Sequence, residues 1–231
     1  MTTSVRRYAA AVSAEALALA WARQEDGPAG ATVVVDNEVS PRGRNGRVWS
    51  VPAETTLAVA VVLRPEIGVD EADVLWLRAG LVAAAATERV GGPPVGTWWP
   101  DSVVDRRSGA ELVMVKSEVQ LGPGRIQSAV ITLRFDLPGI GVDPADRSPL
   151  LRAVDEVVQA GQGLEDAEDM AARYTDQCVL TGRDVRLTLL PAGEARGRAR
   201  AIDRAGRLEL GSRTGMVERV PIDALRHLRV I

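Results

Sequence analysis

Apolar residues recur at helical spacing along residues 4–23, with Ala16, Leu17, Ala20 and Trp21 on one stripe, which predicts a first helix. Gly27-Pro28-Ala29-Gly30 closes it, and the β-branched run Thr32–Val35 reads as a strand. Residues 56–64 are apolar without alternation, the pattern of a strand buried on both faces. Residues 70–88 predict a long Ala/Leu-rich helix, capped by Asp70 or the preceding turn and stopped by Gly91-Gly92-Pro93-Pro94. Strands are expected at 95–99 and 112–119, joined by a polar turn containing Arg106-Arg107-Ser108-Gly109. Gly122-Pro123-Gly124 then turns a hairpin into a strand at 127–135. Residues 150–160 are helical, 161–168 form a break, and a further helix runs through Ala172. From Tyr174 the pattern changes to short alternating runs at 185–190, 197–202, 207–210 and 217–221, separated by glycine-bearing turns. The expected fold is therefore α+β: a mixed sheet with helices over residues 1–172, then a small barrel-like β module over 173–231.

Composition narrows the function. At 231 residues the chain can bury one ordinary core and a small second domain. A net charge of −3 supplies no basic excess with which to displace counterions, so nucleic acid is not expected as a partner. No apolar run is long enough for a membrane span, and the N-terminus lacks a signal-peptide core. Cys178 is the only cysteine, which excludes an internal disulfide and favours a reducing cytoplasm. Lys116 is the only lysine among 28 basic residues, so lysine-dependent chemistry is easy to audit. His227 and Cys178 have no partners at metal or nucleophile spacing and read as structural; no metal set is evident.

The densest chemistry lies at Pro41-Arg42-Gly43-Arg44-Asn45-Gly46-Arg47-Val48-Trp49. Gly43 and Gly46 let the backbone bend and approach a ligand. Three guanidinium forks suit phosphate or carboxylate. Placed just after a strand, the segment reads as an anion-gripping loop; a solvated basic turn is the plainer alternative.

That segment resembles the adenylate-binding loop of biotin protein ligases, roughly GRGRxGRxW, and the context agrees: Val51-Pro52, then an apolar strand ending Leu63-Arg64-Pro65. The resemblance spans nearly the whole chain. It implies the family's α+β catalytic-type domain and, through Thr181–Arg186, Arg198–Asp203 with Gly206-Arg207-Leu208, and His227-Leu228-Arg229, its SH3-like C-terminal domain. No winged-helix segment precedes residue 1, so the expectation is of no repressor activity. It also implies a reaction, acyl-adenylate formation from biotin and ATP followed by transfer to a carrier lysine.

Several positions depart from the family pattern. A Ser-Thr-Asn turn that holds the biotin ring corresponds to Ser13-Ala14-Glu15, and a ring-capping glutamine to Glu38. Lys-Trp-Pro-Asn-Asp, which positions triphosphate and metal, corresponds to Trp98-Trp99-Pro100-Asp101-Ser102, leaving Asp101 as a lone candidate for magnesium or simply a surface aspartate. The catalytic lysine corresponds to Glu111, so no catalytic residue is assigned. Like charges about 4 Å apart repel by about 4 kcal/mol at an effective dielectric of 20, so this inversion should remove most electrostatic catalysis. Strand alternation puts Met114 and Lys116 on one face and Glu111 with Val113 and Val115 on the other. The Gly-Ile-Gly-Ile-Asn strand that closes the pocket corresponds to Thr132-Leu133-Arg134-Phe135-Asp136. A pocket holding Met114, Lys116, Thr132 and Arg134 should not admit biotin.

Met114 reads as packing. Lys116 and Arg134 need partners: either Glu118, Glu38 or Glu15 in an ion network, or a bound anion. The leading expectation is a ligase-fold protein that no longer ligates biotin and binds a protein partner, a second copy or a different small anion. The alternative is an active ATP-dependent acyl ligase, for which alone ATP and biotin would be cofactors. A structural subunit is the third class. If the loop still serves an anion, Arg42, Arg44 and Arg47 should converge with Lys116 or Arg134 on one cavity.

Overall fold

A computed structural model of the chain describes residues 4–161, 166–212 and 214–231. The first element is an edge strand, β1 (Val5–Tyr8), where the periodicity predicted helix. Helix α1 (Ala14–Gln24) begins only after Ser13, whose hydroxyl accepts from the Ala16 amide at 3.3 Å and fixes the start. The apolar stripe was real but did not extend upstream, because Val5–Tyr8 pairs in parallel with β2 (Thr32–Val35).

β3 (Thr56–Leu63) is buried at every position, as its unbroken apolar run required. A short 3-10 turn occupies Val69–Glu71, so α2 (Val74–Arg89) starts later than expected; Asp73 stands at its N-cap, without a side-chain cap bond. β4 (Val95–Trp98) is followed by β5 (Ser102–Asp105), a strand without counterpart in the sequence pattern, and the Arg106–Gly109 turn joins β5 to the next strand rather than to β4. β6 (Glu111–Gly122) and β7 (Arg125–Asp136) form the long hairpin. α3 (Ser148–Ala160) matches expectation. The predicted break at 161–168 lies in part outside the described residues. α4 (Ala167–Gln177) continues past Ala172 because Tyr174 is fully buried on its inner side.

Strand order in the first sheet is β1-β2-β3-β7-β6-β5-β4, antiparallel except for β1 with β2. α1 covers one face through Ala14, Ala18 and Trp21 against Ala58, Ala60, Val62 and Val130. α2 and α3 cover the other, packed on Val59, Val61, Ile131, Leu133 and Phe135.

The C-terminal part is a five-stranded antiparallel sheet: β8 (Asp184–Leu189), β9 (Glu194–Ile202), β10 (Leu208–Gly211), β11 (Val217–Val220) and β12 (Leu225–Val230), in order β11-β10-β9-β8-β12. β12 had no counterpart among the expected strands. Its polar outer face, with Arg226, His227 and Arg229 exposed, hid the alternation. The inner face of this sheet shares one apolar cluster with Leu77 and Leu81 of α2, Tyr174 of α4, and Trp99. The Trp99 indole donates to the Gly206 carbonyl at 2.9 Å.

One irregularity shapes the site. β5 and β6 slip register between Val103 and Val104: Ser102 faces Met114 and Val103 faces Val113, but Val104 faces Glu111. The extra residue, Leu112, is a bulge that turns Glu111 onto the same face as Ser102 and Met114. Glu111 therefore does not share a face with Val113, contrary to what simple alternation predicts.

Candidate functional site

The Gly/Arg segment folds into a compact turn that rests on β6. Arg42 pairs with Val48 across an isolated bridge, the Gly43 amide donates to the Arg47 carbonyl at 2.7 Å, and Trp49 N reaches the Pro41 carbonyl at 3.3 Å. Asn45 (φ 51°) and Gly46 (φ 75°) both take left-handed backbone, which makes the reversal possible. Gly43 is required for a different reason: a Cβ there would lie 2.6 Å from the Met114 sulfur. Met114, fully buried, is thus the floor on which the loop sits.

The three arginines diverge. Arg42 is exposed and, among the described residues, reaches only the Gly46 carbonyl, at 3.4 Å. Arg44 and Arg47 turn into a cleft of about 270 Å³ bounded by Trp98, Asp101, Ser102, Glu111 and, from β12, Arg226 and His227. Arg44 donates to the Leu225 carbonyl, and Asn45 Nδ2 does so at 3.1 Å, tying the loop to the C-terminal sheet.

Inside the cleft, the chain's own carboxylates form ion pairs with both arginines. Arg47 Nη1 donates to both Glu111 oxygens at 2.8 Å. Its Nη2 stands 3.3 Å from Asp101 Oδ2, which is also 3.7 Å from Arg44 Nε. Ser102 Oγ donates to Glu111 Oε1. Burial depresses the Arg44 pKa, against the pull of Asp101 and with Arg47 adding to it. Burial opposes the Arg47 charge too, but Asp101 and Glu111 together outweigh it and raise that pKa. Asp101 is therefore committed to the two arginines.

The positions that resemble the biotin pocket lie on the same face of the sheet, nearer α1. Glu38 and Arg134 form a fork pair there, Nε to Oε2 at 2.5 Å and Nη2 to Oε1 at 3.0 Å, with side chains 2% and 1% exposed. Glu38 Oε1 also accepts from the Ala14 amide at 2.9 Å, next to the cap formed by Ser13. Arg134 Nη1 and Thr132 Oγ1 are buried with no hydrogen-bond partner among the described residues. Lys116 bridges Glu15 at 2.9 Å and Glu118 at 2.7 Å. Burial disfavours its ammonium, but the hydrogen bonds it donates to Glu118 and Glu15 prevail and raise its pKa. Both cations have internal partners, the first of the two arrangements open from sequence.

The expected convergence of all three loop arginines with Lys116 or Arg134 is not what the fold builds. Arg44 and Arg47 meet Arg226 and His227 instead, while Lys116 and Arg134 stay with their carboxylates under α1. His227, read as structural, is exposed at this cleft and at a larger adjoining one of about 590 Å³. Its sequence signal was only the polar residues interrupting a short closing strand. Trp49 is buried beside the loop, and Cys178 is buried, which pushes its thiol up.

No family model matches the chain. The biotin–[acetyl-CoA-carboxylase] ligase of Mycobacterium tuberculosis is 29% identical over 216 residues, covering 85% of this chain and 80% of the relative. The bifunctional ligase/repressor BirA of Bacillus spizizenii is 27% identical over 121 residues, 52% of this chain; the match spans about a third of BirA, 34% of its length. Among solved structures, the Aquifex aeolicus biotin protein ligase in complex with biotin and ATP superposes with a TM-score of 0.77 over 100% of both chains at 17% identity. A biotin protein ligase-like protein of unknown function from Silicibacter gives 0.65, at 16% identity over 96% of this chain and 95% of the other. Biotin protein ligases thus stand among both the sequence relatives and the structural neighbours of this chain, and its fold is the biotin ligase fold.

Proposed function

We propose that this chain keeps the ligase fold without ligating biotin, and serves as a binding or accessory subunit for a protein partner or a small anion other than biotin. The Glu38–Arg134 pair carries the reading. It is nearly sealed from solvent, and its Arg134 lies on the strand that resembles the glycine-lined wall of the family pocket. Met114 fills the neighbouring position under Gly43. Removing a buried ion pair to admit a neutral bicyclic ring would strand two charges, at a cost of several kcal/mol. Glu111 in place of the family lysine supports the same reading, because it binds Arg47 rather than an anion. A reducing cytoplasm suits a protein whose single cysteine is a buried thiol; no helix among the described residues is long and apolar enough to cross a membrane.

An active ATP-dependent acyl ligase is the second reading, favoured by the ligase relatives and by the retained loop. Isothermal titration with biotin and Mg-ATP, alongside ATP–pyrophosphate exchange with biotin and other carboxylic acids, separates the two. The expected outcome is neither biotin heat at micromolar concentration nor exchange. Biotin binding at micromolar or tighter affinity overturns the pocket reading; exchange with any acid establishes the ligase reading.

A further inference from the structure

The C-terminal sheet carries a charge pattern that the pocket does not explain. Residues 173–231 contain twelve arginines against seven Asp and Glu, while residues 1–172 contain sixteen Lys and Arg against 24 Asp and Glu. The acidic total of the chain therefore hides a basic C-terminal part. Strand register concentrates that charge. Arg229 of β12 lies directly opposite Arg186 of β8, and Arg186 lies directly opposite Arg196 of β9. The next row along holds Asp184 opposite Arg198, and the row on the other side holds His227, Thr188 and Glu194.

All these side chains point away from the core, because Val185, Leu187, Ala195 and Leu228 of the alternate rows face inward. Like charges directly opposite on neighbouring strands destabilise a sheet. Here three stand abreast, and Glu194 is the carboxylate they share: it lies 3.0 Å from Arg196 and 4.0 Å from Arg186. The Arg186 Nε is buried with no hydrogen-bond partner among the described residues. One carboxylate cannot neutralise three guanidinium groups, so the face carries surplus fork-shaped donors. His227 continues this face to the cleft lined by Arg226, Arg44 and Arg47.

We propose that the outer face of the C-terminal sheet is a docking surface for an acidic polypeptide segment, whose carboxylates pair with Arg229, Arg186 and Arg196 and whose path leads past His227 to the cleft. Polypeptide suits this surface better than nucleic acid. Residues 175–231 contain no Phe, Tyr or Trp ring on which bases could stack. Discrete arginines interleaved with Glu194 and Asp184 match spaced carboxylates instead. The surface is separate from the pocket under α1 and requires neither biotin binding nor its loss.

Fluorescence anisotropy with a labelled poly-glutamate peptide of about ten residues, without biotin or ATP, tests this at low salt. The full chain is expected to bind, and affinity should fall as salt rises and screens the contacts. Arg186→Glu with Arg229→Glu should weaken binding about tenfold or more, and Arg229→Glu alone, on the exposed edge strand, by less. Arg125→Glu with Arg152→Glu makes the same change in net charge at exposed sites elsewhere and should leave binding nearly unchanged. Equal losses in the two double variants would reduce the effect to net charge and overturn the proposal. So would tighter binding of a single-stranded oligonucleotide than of the peptide. Self-association in sedimentation that Arg229→Glu abolishes, with no peptide binding, would identify a second copy as the occupant and overturn it equally.

Discussion

At the scale of single residues, charge compensation explains most of the substitutions that separate this chain from the family pattern. Arg134 is tolerable in the sheet because Glu38 meets it with two hydrogen bonds, and Lys116 because Glu15 and Glu118 flank it. Such pairs are strongly destabilised when one partner is removed, since the other charge stays buried. Glu38→Gln is therefore expected to cost about 3–5 kcal/mol in urea denaturation. Arg134→Leu in the Glu38→Gln background should recover part of that loss; additive losses would show that the two residues do not act as a pair. Both residues were legible as needing partners, because a charge on an apolar strand is an anomaly in one dimension. Which carboxylate served which cation was not, since Glu38 and Arg134 are joined only by the fold.

Elements add constraints that no single residue displays. The loop at 41–49 is held from below by Met114, from the side by Glu111, and from across the cleft by the Leu225 carbonyl. Glu111→Gln removes the charge that anchors Arg47. Amide hydrogen exchange across residues 43–47 should accelerate several-fold, and sulfate should then raise the melting temperature more than it does for the unaltered protein. Unchanged exchange would mean that Met114 and Leu225 suffice to hold the loop. The start of α2 offers a second case. Burial and the nearby Asp223 raise the pKa of Asp73, against a hydrogen bond from the Ile222 backbone. A carboxyl whose folded pKa is raised is favourable below its unfolded pKa of about 3.8 and loses that contribution as pH rises through the folded value. Asp73→Asn should consequently raise the melting temperature at pH 7, and the gain should vanish as pH falls toward 3.8. A gain that persists at low pH would point to packing rather than charge.

Over the whole molecule, the seven-stranded and five-stranded sheets are not independent bodies joined by a linker. Leu77, Leu81, Trp99, Tyr174, Leu187 and Leu208 belong to one apolar cluster, and α4 crosses the expected boundary at residue 172 unbroken. The division into a catalytic-type domain at 1–172 and an SH3-like domain at 173–231 stands as a proposal. Shared burial of this kind couples stabilities. Calorimetry should accordingly show a single transition, and Trp99→Ala, which opens a cavity at the junction and breaks the bond to Gly206, should lower it by an amount corresponding to about 3–5 kcal/mol. Two separable transitions would contradict the coupling.

The sequence by itself determined what depends on neighbours along the chain. β3 is buried because its apolar run allows nothing else, the β6–β7 hairpin follows from Gly122-Pro123-Gly124, and the Gly/Arg turn could be recognised because its glycines and arginines are adjacent. Tertiary structure alone decided the rest. The bulge at Leu112 brought Glu111 round to Arg47, against the simple alternation of a strand. β12, weak as a sequence signal, delivered Arg226 and His227 to the cleft in place of Lys116 and Arg134. Cross-strand register set Arg229, Arg186 and Arg196 side by side although more than 30 positions separate the outermost pair. The physical reason is the same in each case: periodicity reports which way a side chain points, but the partner that satisfies its charge is chosen by long-range strand pairing, which local sequence does not encode.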